Sequence, residues 1–444
     1  MRLIISNNIR VKQPTQAVID YCKKELVIDN PDYINAQRLG LYSRNIEPKL
    51  SLYAKSGKDL ILPFGCIRHL WGLDKHIDID LQFAPFIASH MHGCINLYDY
   101  QKPALEALKK AKNGVLKAPC GSGKTNIALQ LIKELGGKAL WLTHTKKLLE
   151  QSKARCESYF EGDFGTITEG AVNIGSDITF ATVQTMSKLD PQLYKNEFSV
   201  VVADEIHHAV GSPTKAMQFY KVINSINCRY KFGMSATLTR TDGMIPSLFA
   251  LVGDIVYEIP KEAVKDKRIT AEYKSIFLSQ EYNVMDYTDF DGTINNTKLL
   301  SLLAENTQRN EEIVNNIIER VPHNQLVLCH RVAQCEELSK MLEERGVKTS
   351  ILVGKVKEKD RDYDASVIIA TYALAKEGLD IPALDTLHLA SPQKNESVTI
   401  QAIGRIERNI EGKETPICYD YVDENIPYCM GCYKKRKRII KQND

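Results

Sequence analysis

The segment "APCGSGKT" (118–125) places Lys124 and Thr125 directly after a glycine-broken turn. The pattern is that of a phosphate loop, with Ala118 where the first glycine usually stands. Gly121, Ser122 and Gly123 let backbone N–H groups converge on an anion, and the following helix N-terminus adds its partial positive charge. In such a loop the lysine pairs with the β- and γ-phosphates and the threonine hydroxyl ligates Mg²⁺. The chemistry then needs carboxylates facing the same crevice. "SVVVADEIHH" (199–208) supplies Asp204, suited to hold Mg²⁺, and Glu205, suited to orient or deprotonate an attacking water.

Such groups must be placed by a scaffold. From about residue 95, short apolar runs alternate with amphipathic stretches, the pattern of a parallel sheet covered by helices. "GVLKA", "KALWLT", "DITFAT", "SVVVAD" and "YKFGMSAT" read as strands, and Ile127, Ala128, Leu131, Ile132 and Leu135 recur on one helical face. After the polar stretch "PKEAVKDKRITAEYK" (260–274), a second series follows: "NQLVLCH", the helix "CEELSKMLEERG", "TSILVG", "ASVIIAT", "DTLHLAS" and "PICYDYV". Residues 1–92 instead mix "RLIIS", "KLSLYA" and "DLILPF" with one helix, "TQAVIDYCKKEL". The expected fold is α/β: two tandem RecA-like parallel-sheet domains (93–265 and 266–444) after a small mixed α+β domain (1–92).

Composition sets outer limits. The 444 residues are 43% hydrophobic and 25% charged with net charge +3, ordinary for a soluble globular chain. No apolar run reaches membrane-spanning length, and "MRLIISNNIRV" lacks the features of a secretory signal. A cytoplasmic protein with reduced thiols is expected, because the eleven cysteines show no framework spacing.

From residue 95 to 410 the ordered set of motifs resembles superfamily 2 helicases and translocases. "LYDYQKPALEAL" resembles the segment whose glutamine, here Gln101, reads adenine. "LTHTKKLLEQ" and "ATVQT" resemble segments that track a nucleic-acid backbone, which implies contacts from Thr143, Thr182 and Gln184. "DEIH" is the DExH form of the carboxylate motif, with His207 as a relay, and "SAT" implies that Ser235 and Thr237 couple nucleotide to strand. "IIATYALAKEGLDIP" (368–382) resembles a region whose Thr371 meets the strand and whose Gly378 and Asp380 meet the nucleotide. "QAIGRIER" (401–408) matches the arginine motif. If helical, it sets Gln401, Arg405 and Arg408 at i, i+4 and i+7 on one face. Arginine forks of this kind stabilise a transferring phosphoryl group.

"SATLTRTDG" (235–243), with Arg240 and Asp242, resembles the DNA-active group that includes XPB, RecG and the phage protein UvsW; the N-terminal pattern resembles phage-encoded relatives in which that region engages duplex DNA. Basic residues outnumber acidic ones ten to six over positions 1–60. The resemblance implies an ATP- and Mg²⁺-dependent enzyme acting on forked or branched DNA or duplex–single-strand junctions with 3′ to 5′ polarity, and no membrane partner is expected. It is expected to be a monomer that works with replication or recombination proteins. Alternatives are a duplex translocase without strand separation, an RNA helicase, and an ATP-binding nucleic-acid sensor without turnover.

Three further signals are weaker. "CMGC" with Cys418 lacks the ligands of a zinc site, and Cys429 and Cys432 read as apolar residues of a C-terminal helix. "YTDFDGTINNTK" has Tyr287 and Lys298 where a calcium loop needs carboxylates. "KKRKRIIK" (434–441) is equally consistent with backbone contact or a solvated tail. His208 reads as a packed or solvated neighbour of the carboxylates.

Overall fold

Val200–Asp204 and Ala139–Thr143 are buried along their whole length. That follows from a parallel strand covered by helices on both faces, which leaves no position free to be polar by alternation. The computed structural model describes residues 1–441 apart from 120, 213–216, 239, 241, 268, 355–361, 363, 364, 377–380, 382 and 411. The chain divides into two compact units, Met1–Pro260 and Lys261–Asp444.

The first unit contains an eight-stranded sheet. Its spatial order is Ala171–Asn173, Phe164–Thr168, Ile178–Thr182, Ala139–Thr143, Val200–Asp204, Tyr230–Ser235, Asn113–Lys117 and Ile255–Glu258. All neighbours are parallel except the outermost Ala171–Asn173. Thr143 pairs with Thr182, Asp204 with Met234 and Ser235 with Lys117, so these strands end together at one edge. Ligands of open parallel sheets bind at that carboxyl edge.

The N-terminal segment forms a five-stranded sheet ordered Ala54–Ser56, Asp59–Pro63, Asn8–Lys12, Arg2–Ile5 and Asp78–Leu81. Its buried Leu3, Ile5, Val11, Leu62 and Phe64 join one continuous core with Val115, Leu140, Phe219, Ile223 and Leu251. Polar ties reinforce this. Arg68 donates to the Ala111 and Asn113 carbonyls at 2.8 and 2.7 Å, and Asn7 Nδ2 donates to the Asn224 carbonyl at 2.7 Å. Lys231, fully buried, donates to the Asn7 and Ile223 carbonyls and lies over the Phe64 ring. Residues 1–81 are thus packed into the first unit rather than tethered beside it.

The second unit is built on a six-stranded, all-parallel sheet ordered Glu272–Leu278, Ile417–Asp423, Thr386–Leu389, Gln325–Cys329, Val367–Thr371 and Thr349–Leu352. Two buried ion pairs fix helices to it. Arg309, in the helix Thr307–Glu319, holds Asp423 at 2.8 Å, and Arg436, in the helix Pro427–Lys441, grips Asp420 through two nitrogens at 2.8 and 2.6 Å. Buried pairs of this kind do little for net stability, but losing one partner strands a charge. Cys418, Cys429 and Cys432 are buried, and no metal-holding group of His, Cys, Asp or Glu occurs among the described residues. No helix among the described residues is long and apolar enough to cross a membrane.

The α/β fold with mixed N-terminal structure agrees with expectation. One local expectation fails: the arginine-motif helix runs Glu396–Ile406 and stops, so Arg408 lies beyond it and does not share its face with Gln401 and Arg405. Tertiary hydrogen bonds take up the carbonyls left over at and just past its end. Ile269 N–H donates to the Glu407 carbonyl at 2.9 Å, and Lys413 Nζ donates to the Ile406 and Arg408 carbonyls at 2.7 and 3.0 Å. Arg436, part of the basic run, faces the core and is committed to Asp420.

Candidate nucleotide and strand site

The phosphate loop joins the strand Asn113–Lys117 to the helix Lys124–Leu135. Gly123 immediately precedes that helix with φ +76°, a backbone that L side chains rarely adopt. A Cβ there would also meet Gln101 Nε2 at 2.3 Å. Gln101 is buried, and its amide is already bonded at both ends: Oε1 accepts from Tyr98 N–H at 2.9 Å, and Nε2 donates to the Ser122 carbonyl at 2.8 Å. Tyr100 donates to the same carbonyl at 3.2 Å. Gln101 therefore braces the loop in this structure.

The loop suits an anion. Among the described residues, Lys124 Nζ makes only long hydrogen bonds, to the Ala118 and Pro119 carbonyls at 3.2 and 3.4 Å, and Ser122 Oγ is buried without a hydrogen-bond partner. Such an orphaned hydroxyl in a ring of loop donors is what a phosphate oxygen would satisfy.

Asp204 ends its strand and Glu205 turns off it with φ 48° and ψ 49°, the left-handed region. Strain of that kind in a non-glycine residue is typical of functional turns and costs on the order of 1–3 kcal/mol. Burial raises the Asp204 carboxyl to about 7, aided by the adjacent Glu205 charge. Burial also pushes Glu205 upward, but the contact with His207 and the charge of Lys124 outweigh it and hold that carboxyl low. The two neighbouring carboxylates are thus pushed in opposite directions, Asp204 upward by burial and Glu205 downward by His207 and Lys124.

His207 Nδ1 lies 3.0 Å from Ser235 Oγ and 3.2 Å from Glu205 Oε2. Ser235 Oγ donates to the Thr237 carbonyl at 2.6 Å, so it meets His207 with a lone pair, and His207 carries its proton on Nδ1. Arg240 forks Asp242 and donates to the His207 carbonyl at 2.8 Å, tying the segment after the SAT residues to the carboxylate turn.

The other sequence candidates fall unevenly. Thr143 is fully buried with its hydroxyl donated to the Thr145 carbonyl at 3.1 Å, and Thr182 Oγ1 is bonded to Thr185 Oγ1 at 3.0 Å. Neither hydroxyl faces solvent freely. Gln184 is exposed, and its Nε2 donates to the His144 carbonyl at 2.6 Å. Thr371 ends a strand of the second sheet, half-buried. Gln401 Oε1 is buried without a hydrogen-bond partner among the described residues. Gly378 and Asp380 lie outside the described residues. Sequence reasoning missed Tyr100, because an aromatic before a helix reads as core. It also discounted His208, whose ring lies 4.2 Å from that of His207 and 4.5 Å from that of His144 between centroids.

Comparison with known proteins agrees with this arrangement. Residues 94–240 match the family described as "Type III restriction enzyme, res subunit", and residues 308–409 match "Helicase conserved C-terminal domain". "Putative ATP-dependent RNA helicase L396" of Acanthamoeba polyphaga mimivirus is 28% identical over 330 residues, 72% of this chain and 62% of that protein. The chain thus covers less than two thirds of that relative. "Probable helicase D10" of Escherichia phage T5 is 27% identical over 69% of this chain and 67% of its own length. "DNA 3'-5' translocase XPB2" of Sulfurisphaera tokodaii is 33% identical over 46% and 44%. Among solved structures, Saccharomyces cerevisiae Dbp5 bound to RNA and ADP BeF3 shares the fold at 14% identity and a TM-score of 0.57, over 78% of this chain and 88% of that one. With T4 UvsW the alignment spans 100% of this chain and 97% of that one at 18% identity, but its TM-score of 0.45 is too low to establish a shared arrangement. With a phosphate loop, paired carboxylates and a second parallel-sheet unit matching the helicase C-terminal domain, the chain belongs to the superfamily 2 helicases, in the branch that holds viral, phage and XPB-type members.

Proposed function

We propose that the chain is an ATP-driven motor that remodels forked or branched DNA, opening forks and migrating junctions. The observation that carries the reading is the shared edge of the first sheet. There the phosphate loop, Asp204–Glu205 and the His207–Ser235 contact end neighbouring strands, next to the loops that follow Thr143 and Thr182. A change at a bound nucleotide can be passed sideways along that edge to the loops that resemble strand-tracking segments.

Gly121, Ser122, Gly123 and Lys124 would cradle the phosphates of ATP. Thr125 and Asp204 would hold Mg²⁺, which when bound neutralises phosphate charge and draws Asp204 into its ionised form. Glu205, kept ionised, would orient or deprotonate the attacking water. Arg405 and Arg408 of the second unit would act as arginine fingers on the transferring phosphoryl group, with Gln401 one helical turn before Arg405 and with Gly378 and Asp380 on the nucleotide. Support for DNA over RNA comes from the Arg240–Asp242 fork after the SAT residues and from the XPB-type relative. The printed name of the mimiviral relative keeps RNA as the second reading. A monomer inside the cell, working with replication or recombination proteins and moving 3′ to 5′, is part of the proposal.

ATPase rates measured side by side with single strands, duplex, forks, four-way junctions and RNA test it. The expected order places forks and junctions highest, with Lys124→Ala inactive throughout. Strongest stimulation by RNA would replace the DNA reading. Stimulation by unbranched duplex alone would make the protein a translocase, and none by any polymer would make it a sensor.

A further inference from the structure

Three imidazoles run across the carboxyl edge of the first sheet. His207 and His208 follow the strand Val200–Asp204, and His144 follows its neighbour, Ala139–Thr143. The His208 ring is wedged between the other two, with centroids 4.2 Å from His207 and 4.5 Å from His144, tilted about 40° to each. At one end the chain is anchored to chemistry, since His207 touches Glu205 at 3.2 Å and Ser235 at 3.0 Å. At the other end it reaches the next strand: Gln184, in the turn after Ile178–Thr182, donates to the His144 carbonyl at 2.6 Å. These contacts span three adjacent strands in their sheet order.

We propose that His208 and His144 are positioning residues that link the strand-facing loops 143–145 and 182–185 to Glu205. Aromatic rings in contact are incompressible, so a shift of the 143–145 loop displaces His208, and with it His207 and the Glu205 carboxylate. The device rests on the reading of those loops as strand-tracking segments. It goes beyond the His207–Ser235 contact because it connects a second, separate loop to the same carboxylate. The Glu205 turn is suited to receive the push: its left-handed backbone is a sparsely populated conformation for a non-glycine residue and persists only because its neighbours hold it.

The test is steady-state ATPase of the full chain with and without a forked oligonucleotide duplex. His208→Ala and His144→Ala should each leave unstimulated turnover within about twofold of wild type. Each should lower the fork-saturated rate at least about tenfold, with the fork concentration at half-stimulation little changed. The double variant should be no worse than either single one, as links in series require. His208→Phe, which keeps a ring in the wedge, should restore most of the stimulation. Full stimulation of His208→Ala, or an equal fall in stimulated and unstimulated rates, would overturn the link while leaving the motor reading intact. Losses that add in the double variant, or His208→Phe behaving as His208→Ala, would also overturn it. A wild type that no polymer stimulates would overturn the motor reading itself, and the link with it.

Discussion

His207 Nδ1 and Ser235 Oγ meet at 3.0 Å across two neighbouring parallel strands, and the serine proton is already given to the Thr237 carbonyl. This oxygen is the nearer acceptor for the imidazole N–H, with Glu205 Oε2 next at 3.2 Å. Ser235→Ala leaves a buried donor without its main acceptor, worth about 1–3 kcal/mol. Strand displacement should fall by roughly 10- to 100-fold, with ATP turnover far less affected. Displacement at the wild-type rate in a gel assay would show that this contact carries no coupling.

Gly233 lies beneath the carboxylate turn. A Cβ there would come within 2.5 Å of Ile206 Cγ1, in a fully buried residue between Glu205 and His207. Gly233→Ala should destabilise the protein by about 1–3 kcal/mol through overpacking and lower kcat as the turn is displaced. Gly431→Ala is the control: in the exposed face of the C-terminal helix its Cβ meets nothing within 4 Å, so a gain of about 0.5–1 kcal/mol is expected. Chemical denaturation of both variants, with ATPase of the first, decides the matter.

Burial pushes the Lys231 ammonium down to about 8 from 10.5. The unfolded chain then binds this proton more tightly than the folded one. The penalty is fully present below pH 8 and is relieved as the pH rises toward 10.5. Lys231→Met removes it. The stability difference between variant and wild type should shift in favour of the wild type by about 2–3 kcal/mol between pH 7 and pH 10. A difference that stays constant across that range, read by urea unfolding, would mean that folding leaves the proton affinity of this amine unshifted.

Arg38 and Arg44 are exposed on the N-terminal segment proposed to engage duplex DNA. If both meet phosphates, Arg38→Ala/Arg44→Ala should reduce the slope of log affinity against log salt by about 1.8, and weaken binding similarly for all sequences. An unchanged slope in fluorescence anisotropy removes these two residues from the interface. Deleting residues 1–92 is a poor substitute, because it would bare the apolar core shared with Val115 and Leu251.

Arg405→Ala should lower fork-stimulated kcat by about 10³-fold while ATP affinity stays within about threefold, as expected for a group that acts on the transferring phosphoryl. Unchanged kcat would sink the finger assignment.

The sequence by itself determined the parts whose physics is local. "APCGSGKT" favours a glycine-dependent turn before a helix, and the runs "VVVAD" and "LVLC", short, apolar and containing β-branched valine, fit strands covered on both faces. Even the helix face of Ile127, Ala128, Leu131, Ile132 and Leu135 was legible from spacing: the first four are fully buried and Leu135, at the helix end, is half-buried. What only the tertiary structure decided is which loops are neighbours. Residues 144 and 208 touch because the strand order places Ala139–Thr143 beside Val200–Asp204, a fact that no local window contains. The same holds for the helix that stops at Ile406, where carbonyls are claimed by Ile269 and Lys413, and for Arg436, turned inward by Asp420. It holds for the N-terminal strands too, whose apolar faces have no way of announcing that they share a core with the motor sheet. Periodicity reports that a face is buried; only the folded chain says against what.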